Sequence, residues 1–119
     1  MPTRVRGFRI GGAYWEATSF SIAARRDDDG VRVQEERQGY TYAALGMFLI
    51  EPNAWSLTHL ASGLRVCRIE ATPIEAFRKA TVIADVGNWA FRAEAIRDAM
   101  ARKVYNIIKA DPAMTRGDE

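Results

Sequence analysis

LGMFLI (Leu45–Ile50), AWSLTHLA (Ala54–Ala61) and LRVCRIE (Leu64–Glu70), followed at once by TPIE (Thr72–Glu75), form the stretch that decides the fold. Three short runs rich in apolar and β-branched residues, separated by Pro52-Asn53 and Ser62-Gly63, read as consecutive strands joined by tight turns. Thr72 then supplies a capping hydroxyl, Pro73 fills the first helical position, and Glu75 sits where a capping box places its acid. A helix is expected from Pro73 to about Val86, with Ile74, Phe77, Ala80, Thr81 and Ala84 as its apolar stripe. Gly87-Asn88 breaks it, and Asn88 caps a second helix running to Ala110. That helix carries Trp89, Ala93, Ile96, Met100, Val104, Ile107 and Ile108 on one face, and it stops before Asp111-Pro112.

Register can be read inside the hairpins. With Ala61-Ser62-Gly63 as the loop, Leu60 faces Leu64, so Trp55, Leu57, Cys67 and Ile69 share one face, with His59 and Arg65 at its outer end. Pairing through the Glu51–Ala54 turn adds Phe48 and Ile50 to that face. Leu45, Met47, Leu49, Leu60, Leu64 and Val66 then line the other. Both faces are apolar, whereas a sheet wetted on one side alternates apolar and polar residues. Two helices can cover only one of them. The second cover is either a layer from the strands around Tyr14–Ala24, through Phe20 and Ile22, or a second copy of the chain. The dimer is the favoured expectation, with Met47, Leu49, Leu60 and Leu64 at its interface, because an uncovered apolar face of this size is unusual on a monomer. A few hundred Å² of apolar area at ~25 cal/mol per Å² amounts to several kcal/mol.

Outward from this stretch the signals weaken. Val5–Ile10, Tyr14–Ala24 and Val31–Arg37 read as strands, with turns at Gly11-Gly12 and at the DDDG tip, Asp27–Gly30. Residues 38–44 read as an irregular crossing. The expected architecture is α+β: an antiparallel sheet of five to six strands followed by two C-terminal helices packed on one face. Residues 1–111 form the single domain and 112–119 a flexible tail. With 119 residues, 48% of them hydrophobic, one packed core is affordable. No apolar run approaches the ~18 residues of a membrane span. The opening segment MPTRVRGFRIGG lacks the apolar core of a signal peptide, so a cytoplasmic setting is expected.

The residues suited to chemistry are few. His59 is the only histidine and Cys67 the only cysteine, so any nucleophile–base scheme must use His59, with Cys67 or one of the nearby serines as nucleophile, and zinc would lack ligands. Cys67 points towards the core in the register above, where a thiol is inert. Three successive aspartates followed by glycine fit a solvated hairpin tip better than a calcium loop, which alternates its ligands. No cofactor is expected. Of 17 basic residues, three are lysine and the rest arginine; they are spread along the chain, as a GC-rich genome would also produce. The best polar constellation is His59 with Arg65 at a hairpin tip, Arg68 nearby, and Arg4, Arg6 and Arg9 extending a basic edge. It could hold a phosphate or an acidic protein surface.

The run Trp55-Ser56-Leu57-Thr58-His59-Leu60-Ala61-Ser62-Gly63-Leu64 resembles a pattern in small uncharacterised phage and prophage proteins, where a Trp-x-x-Thr-His-x-x-Ser/Thr-Gly hairpin precedes an alanine-rich helix. The resemblance spans roughly residues 45–90. It implies no enzymatic activity and transfers no functional residues. It implies a mobile-element setting in a bacterial host cell, where small domains bind and inhibit host proteins, anti-CRISPR and other anti-defence factors among them. The leading expectation is therefore a non-catalytic accessory protein that binds a host protein or nucleoprotein complex. A nucleic-acid binder using sheet-edge arginines comes second, and a small enzyme centred on His59 third.

Overall fold

The computed structural model describes residues 7–26, 28–90 and 98–115. Seven strands form one antiparallel sheet whose spatial order is their chain order. They are β1 Gly7–Ile10, β2 Ala13–Arg26, β3 Arg32–Tyr42, β4 Leu45–Glu51, β5 Ala54–His59, β6 Leu64–Glu70 and β7 Met114–Thr115. Helices α1, Pro73–Ala84, and α2, Asp98–Ala110, fall between β6 and β7 in the chain.

The expected five to six strands under a helical layer need correcting. Among the described residues the sheet has seven strands and curls into a half-barrel, with about twice as many residues in strands as in helices. The broad α+β description stands, but the helices do not lie side by side on one flat face. α1 contacts β1 and β6, so it bridges across the curve, while α2 meets chiefly β7. Phe77 of α1 explains why the sheet wraps round the helix. Its ring takes edge contacts from Phe8 at 4.6 Å, Trp55 at 4.8 Å, Trp15 at 5.1 Å and Tyr40 at 5.3 Å, drawn from four different strands. Such aromatic pairs add to the burial term itself. Trp15 also donates from Nε1 to Thr81 Oγ1 at 3.0 Å, fixing the helix's rotation. The buried stripe of α1 is Ala76, Phe77, Ala80, Ile83 and Ala84; Ile74, expected in it, is 60% exposed.

One residue of slip inverts a strand's faces, and β4 is a case of it. Glu51 does pair with Ala54, but a bulge at Ile50 then sets Leu49 opposite Trp55 and Met47 opposite Leu57. Leu45 and Met47 are therefore fully buried on the helix side with Trp55, Leu57, Cys67 and Ile69. Phe48 takes the opposite side, beside Ser56. The Trp55–Ile69 and Leu57–Cys67 pairs stand as expected.

The opposite side is covered from within the chain. β3 continues through residues 38–42, read from sequence as irregular, and pairs with β4 only at Tyr40–Tyr42. Its remainder follows β2 as a long arm that folds across the outer side of β4–β6. Phe20 rests over two glycines: a Cβ on Gly46 would lie 2.8 Å from its ring and 2.9 Å from Leu60, and one on Gly39 would lie 3.0 Å from the same ring. Phe48 lies 6.2 Å from Phe20, and the arm is tied down by Ala23 N–H donating to Gly63 O at 2.8 Å. Ile22 is buried, and so are Ser56 and Thr58 on that side of β5. The Phe20/Ile22 layer thus occupies the face that a second copy was expected to cover.

The chain after Ala110 is also tied down before residue 116. Glu70 N–H donates to Ala113 O at 2.7 Å, Met114 is buried, and Lys79 of α1 pairs with Asp111. The tail set at 112–119 accordingly contains β7. Ala93 and Ile96 lie outside the described residues; Trp89 precedes α2 in non-helical backbone, donating from Nε1 to Ile83 O at 3.1 Å.

Candidate functional site

His59 ends β5, and a four-residue turn, 60–63, leads into β6. The turn is one residue longer than the expected loop, so His59 pairs with Leu64 rather than Arg65, and a bulge at Val66 restores the register by Leu57–Cys67. The bulge separates the two residues expected to act together. His59 goes to the helix side, 5% exposed, whereas Arg65 goes to the arm side and donates from Nε to Ser56 Oγ at 2.9 Å.

Both imidazole nitrogens of His59 are engaged. Nε2 lies 3.0 Å from the carbonyl oxygen of Trp89, which can only accept, so the hydrogen sits on Nε2. Nδ1, 2.9 Å from Ser62 Oγ, is then the acceptor. Ser62 Oγ also receives Leu64 N–H at 3.1 Å. A serine–histidine–carbonyl chain of this kind has the outline of a nucleophile–base pair. Its chemistry is that of a hairpin clasp: the hydroxyl is three residues from the imidazole, already accepts a backbone N–H, and closes its own turn. The Trp89 carbonyl anchors the segment after α1 to the sheet. From sequence, the nearby serines were only collectively candidate partners of His59; the His-x-x-Ser spacing is the signal that singles out Ser62.

Cys67 is fully buried, and burial pushes its thiol up to about 12, with the nearby Arg65 charge opposing only in part. Asp28, Asp29 and Gly30 are exposed at the β2–β3 tip, where Gly30 has φ +84°, as a hairpin turn requires. Asp27 lies outside the described residues, as do Arg4 and Arg6. Among the described residues no group of acids, histidine and cysteine could hold a metal ion. Arg9 is exposed on β1 and places its guanidinium 5.5 Å from the centre of the Tyr14 ring.

Arg68 projects on the arm side and bridges two carboxylates, with Nε 3.0 Å from Glu70 and Nη2 3.5 Å from Glu51. The Glu70 hydrogen bond, above all, raises its pKa further. These three line an open groove of about 460 Å³ with Pro52, Asn53, Ala71 and Thr72, where the β4–β5 turn meets the start of α1. Asn53 holds φ +59° there, and its carbonyl receives Ala71 N–H at 3.0 Å. The predicted constellation is thus dispersed: His59 inside, Arg65 under the arm, Arg68 in the groove and Arg9 on the first strand. Of the four residues assigned to a dimer interface, Met47 is buried in the core, Leu60 packs near Phe20, and Leu49 and Leu64 are exposed. Among the described residues no helix is long and apolar enough to cross a membrane.

No protein-family model, no curated protein and no solved structure matches this chain.

Proposed function

We propose that the chain is a non-catalytic binding protein of phage or other mobile-element origin, which modulates or inhibits a host protein or nucleoprotein complex. The observation that carries the reading is the fate of His59: one nitrogen is committed to Trp89 O and the other to Ser62, so the imidazole works as a brace. Cys67, pushed to about 12, has no thiolate to offer near neutral pH. What the chain presents to a partner is surface, and the groove of Glu51, Asn53, Arg68 and Glu70 offers fixed charges of both signs. The mobile-element setting is supported only by the Trp55–Leu64 resemblance.

The test is co-purification from a bacterial lysate with the tagged chain, the Arg68→Glu variant and a folded His59→Gln variant. Capture of a defined partner should be lost with Arg68→Glu and retained with His59→Gln. Turnover of any substrate that vanishes with His59→Gln in a folded protein overturns the reading. Arg9 stacked on the exposed Tyr14 ring favours nucleic-acid binding as a second reading. That reading predicts affinity for single-stranded nucleic acid that falls steeply with salt and weakens with Arg9→Ala.

A further inference from the structure

We propose that the free edge of β3, residues 33–39, pairs antiparallel with the same edge of a second copy, about a two-fold axis at Glu36. β3 pairs with β2 along its length, but β4 accompanies it only at Tyr40–Tyr42. At Gly39 the two strands part; a Cβ there would lie 2.1 Å from Met47 O, which only glycine tolerates.

Alternation in an antiparallel ladder tells which groups are left over. Ala23 pairs with Gln34, yet its N–H goes to Gly63 O, so this pair exchanges no ladder bonds. Gln34 therefore turns its N–H and C=O away from β2, and with a period of two so do Glu36 and Gln38. In keeping with this, Glu36 O accepts from the Arg37 guanidinium at 3.1 Å. On that side, among the described residues, no strand receives these groups. An edge of this kind is a template for another strand.

Charges usually guard such edges, but here their order leaves one register open. Outward-facing residues must meet outward-facing residues, so Glu36 faces Gln34, Glu36 or Gln38 of the second copy. Glu36 opposite Glu36 sets Glu35 against Arg37 twice and Gln34 against Gln38 twice. A shift of two in one direction opposes Glu35 with Glu35; in the other it opposes Arg37 with Arg37. Neither shifted register contains an unlike pair. Glu35 and Arg37, 2.7 Å apart within one chain and 32% and 37% exposed, would alternate with their symmetry mates in a four-charge ring. The surface differs from the one first expected for a dimer, and it is independent of the proposed function.

Light scattering of the full chain over a dilution series tests it. The mass should rise from 13.3 kDa towards twice that value with concentration. Arg37→Glu turns two attractive cross-strand pairs repulsive and should raise Kd by about tenfold. The Glu35→Arg/Arg37→Glu double variant should restore it. Glu36→Gln, at an exposed position, should tighten the dimer by removing its central like-charge contact, and it decides the matter should Arg37→Glu fail to fold. A mass of 13.3 kDa at every concentration for the wild type and Glu36→Gln overturns the proposal. So does a dimer whose Kd ignores these substitutions.

Discussion

Cys67 and Asp111 carry the clearest consequences of burial and pairing. With its thiol raised to about 12, Cys67 should not react with a disulfide reagent at pH 8 until the chain unfolds. Rapid labelling of the native protein would show that β6 does not lie under α1. The sign for stability comes from proton counting. Between the thiol's ordinary value and about 12 the folded state holds a proton that the unfolded state loses, so stability is intact below that window and falls as pH rises through it. Asp111 behaves oppositely. The Lys79 hydrogen bond, and then Ala113 N–H, hold its carboxyl below the usual range. Its contribution is present above ordinary carboxylate values and is lost as pH falls through the lowered one. Asp111→Asn should therefore flatten the acid limb of a pH–stability curve and leave the neutral-to-alkaline shape unchanged; an unaltered acid limb would mean the pair does not form. The thiol's placement was legible because two departures cancel: the turn is one residue longer than the spacing suggests, and the bulge at Val66 restores the Leu57–Cys67 pairing. Asp111's role was not legible, because Lys79 is 32 positions away and only the return of the chain to β6 brings them together.

Among the elements, α1 shows both what pattern reveals and what it hides. Its start at Pro73 was legible from the Thr-Pro-Ile-Glu signature, and the backbone bond from Ala76 N–H to Thr72 O, 2.8 Å, is in place. The expected side-chain cap is not made, and Glu75 bonds Arg78 instead of reaching back. Thr72→Ala should accordingly change stability by no more than about 0.5 kcal/mol, against ~1 for a working cap. Phe77→Ala should cost about 3–5 kcal/mol, since four strands close on that ring. Equal losses from the two substitutions, in chemical denaturation, would refute this division of roles. Bulges are where the hairpin reading failed. Ile50 and Val66 each add a residue that no turn signal announces, and each turns the residues beyond it to the other face. The β3–β4 turn was missed for a related reason: Ala43 and Ala44 hold φ +53° and +69°, positions where glycine or asparagine is the usual marker.

For the molecule as a whole, the central point is that one chain covers both sides of its own sheet: α1 and its aromatic partners on one, the β2–β3 arm on the other. The helix-side face was legible in the strands. The other carries Phe48, Ser56, Thr58, Arg65 and Arg68 instead of the apolar set expected, and its cover by Phe20 and Ile22 was the less favoured of the two alternatives, since neither residue reveals how far β2 bends. The glycines that admit the bend, Gly39 and Gly46, stand in strands where they resemble interruptions. The amide of Ala23 reports on this arrangement alone. It points away from β3 and donates to Gly63 O across the layer. Hydrogen exchange at Ala23, followed by NMR in dilute solution, is therefore the most direct measurement. The arm-covered fold predicts protection comparable with the ladder amides of β5. Exchange as fast as in an unstructured peptide, with β5 still protected, would contradict it.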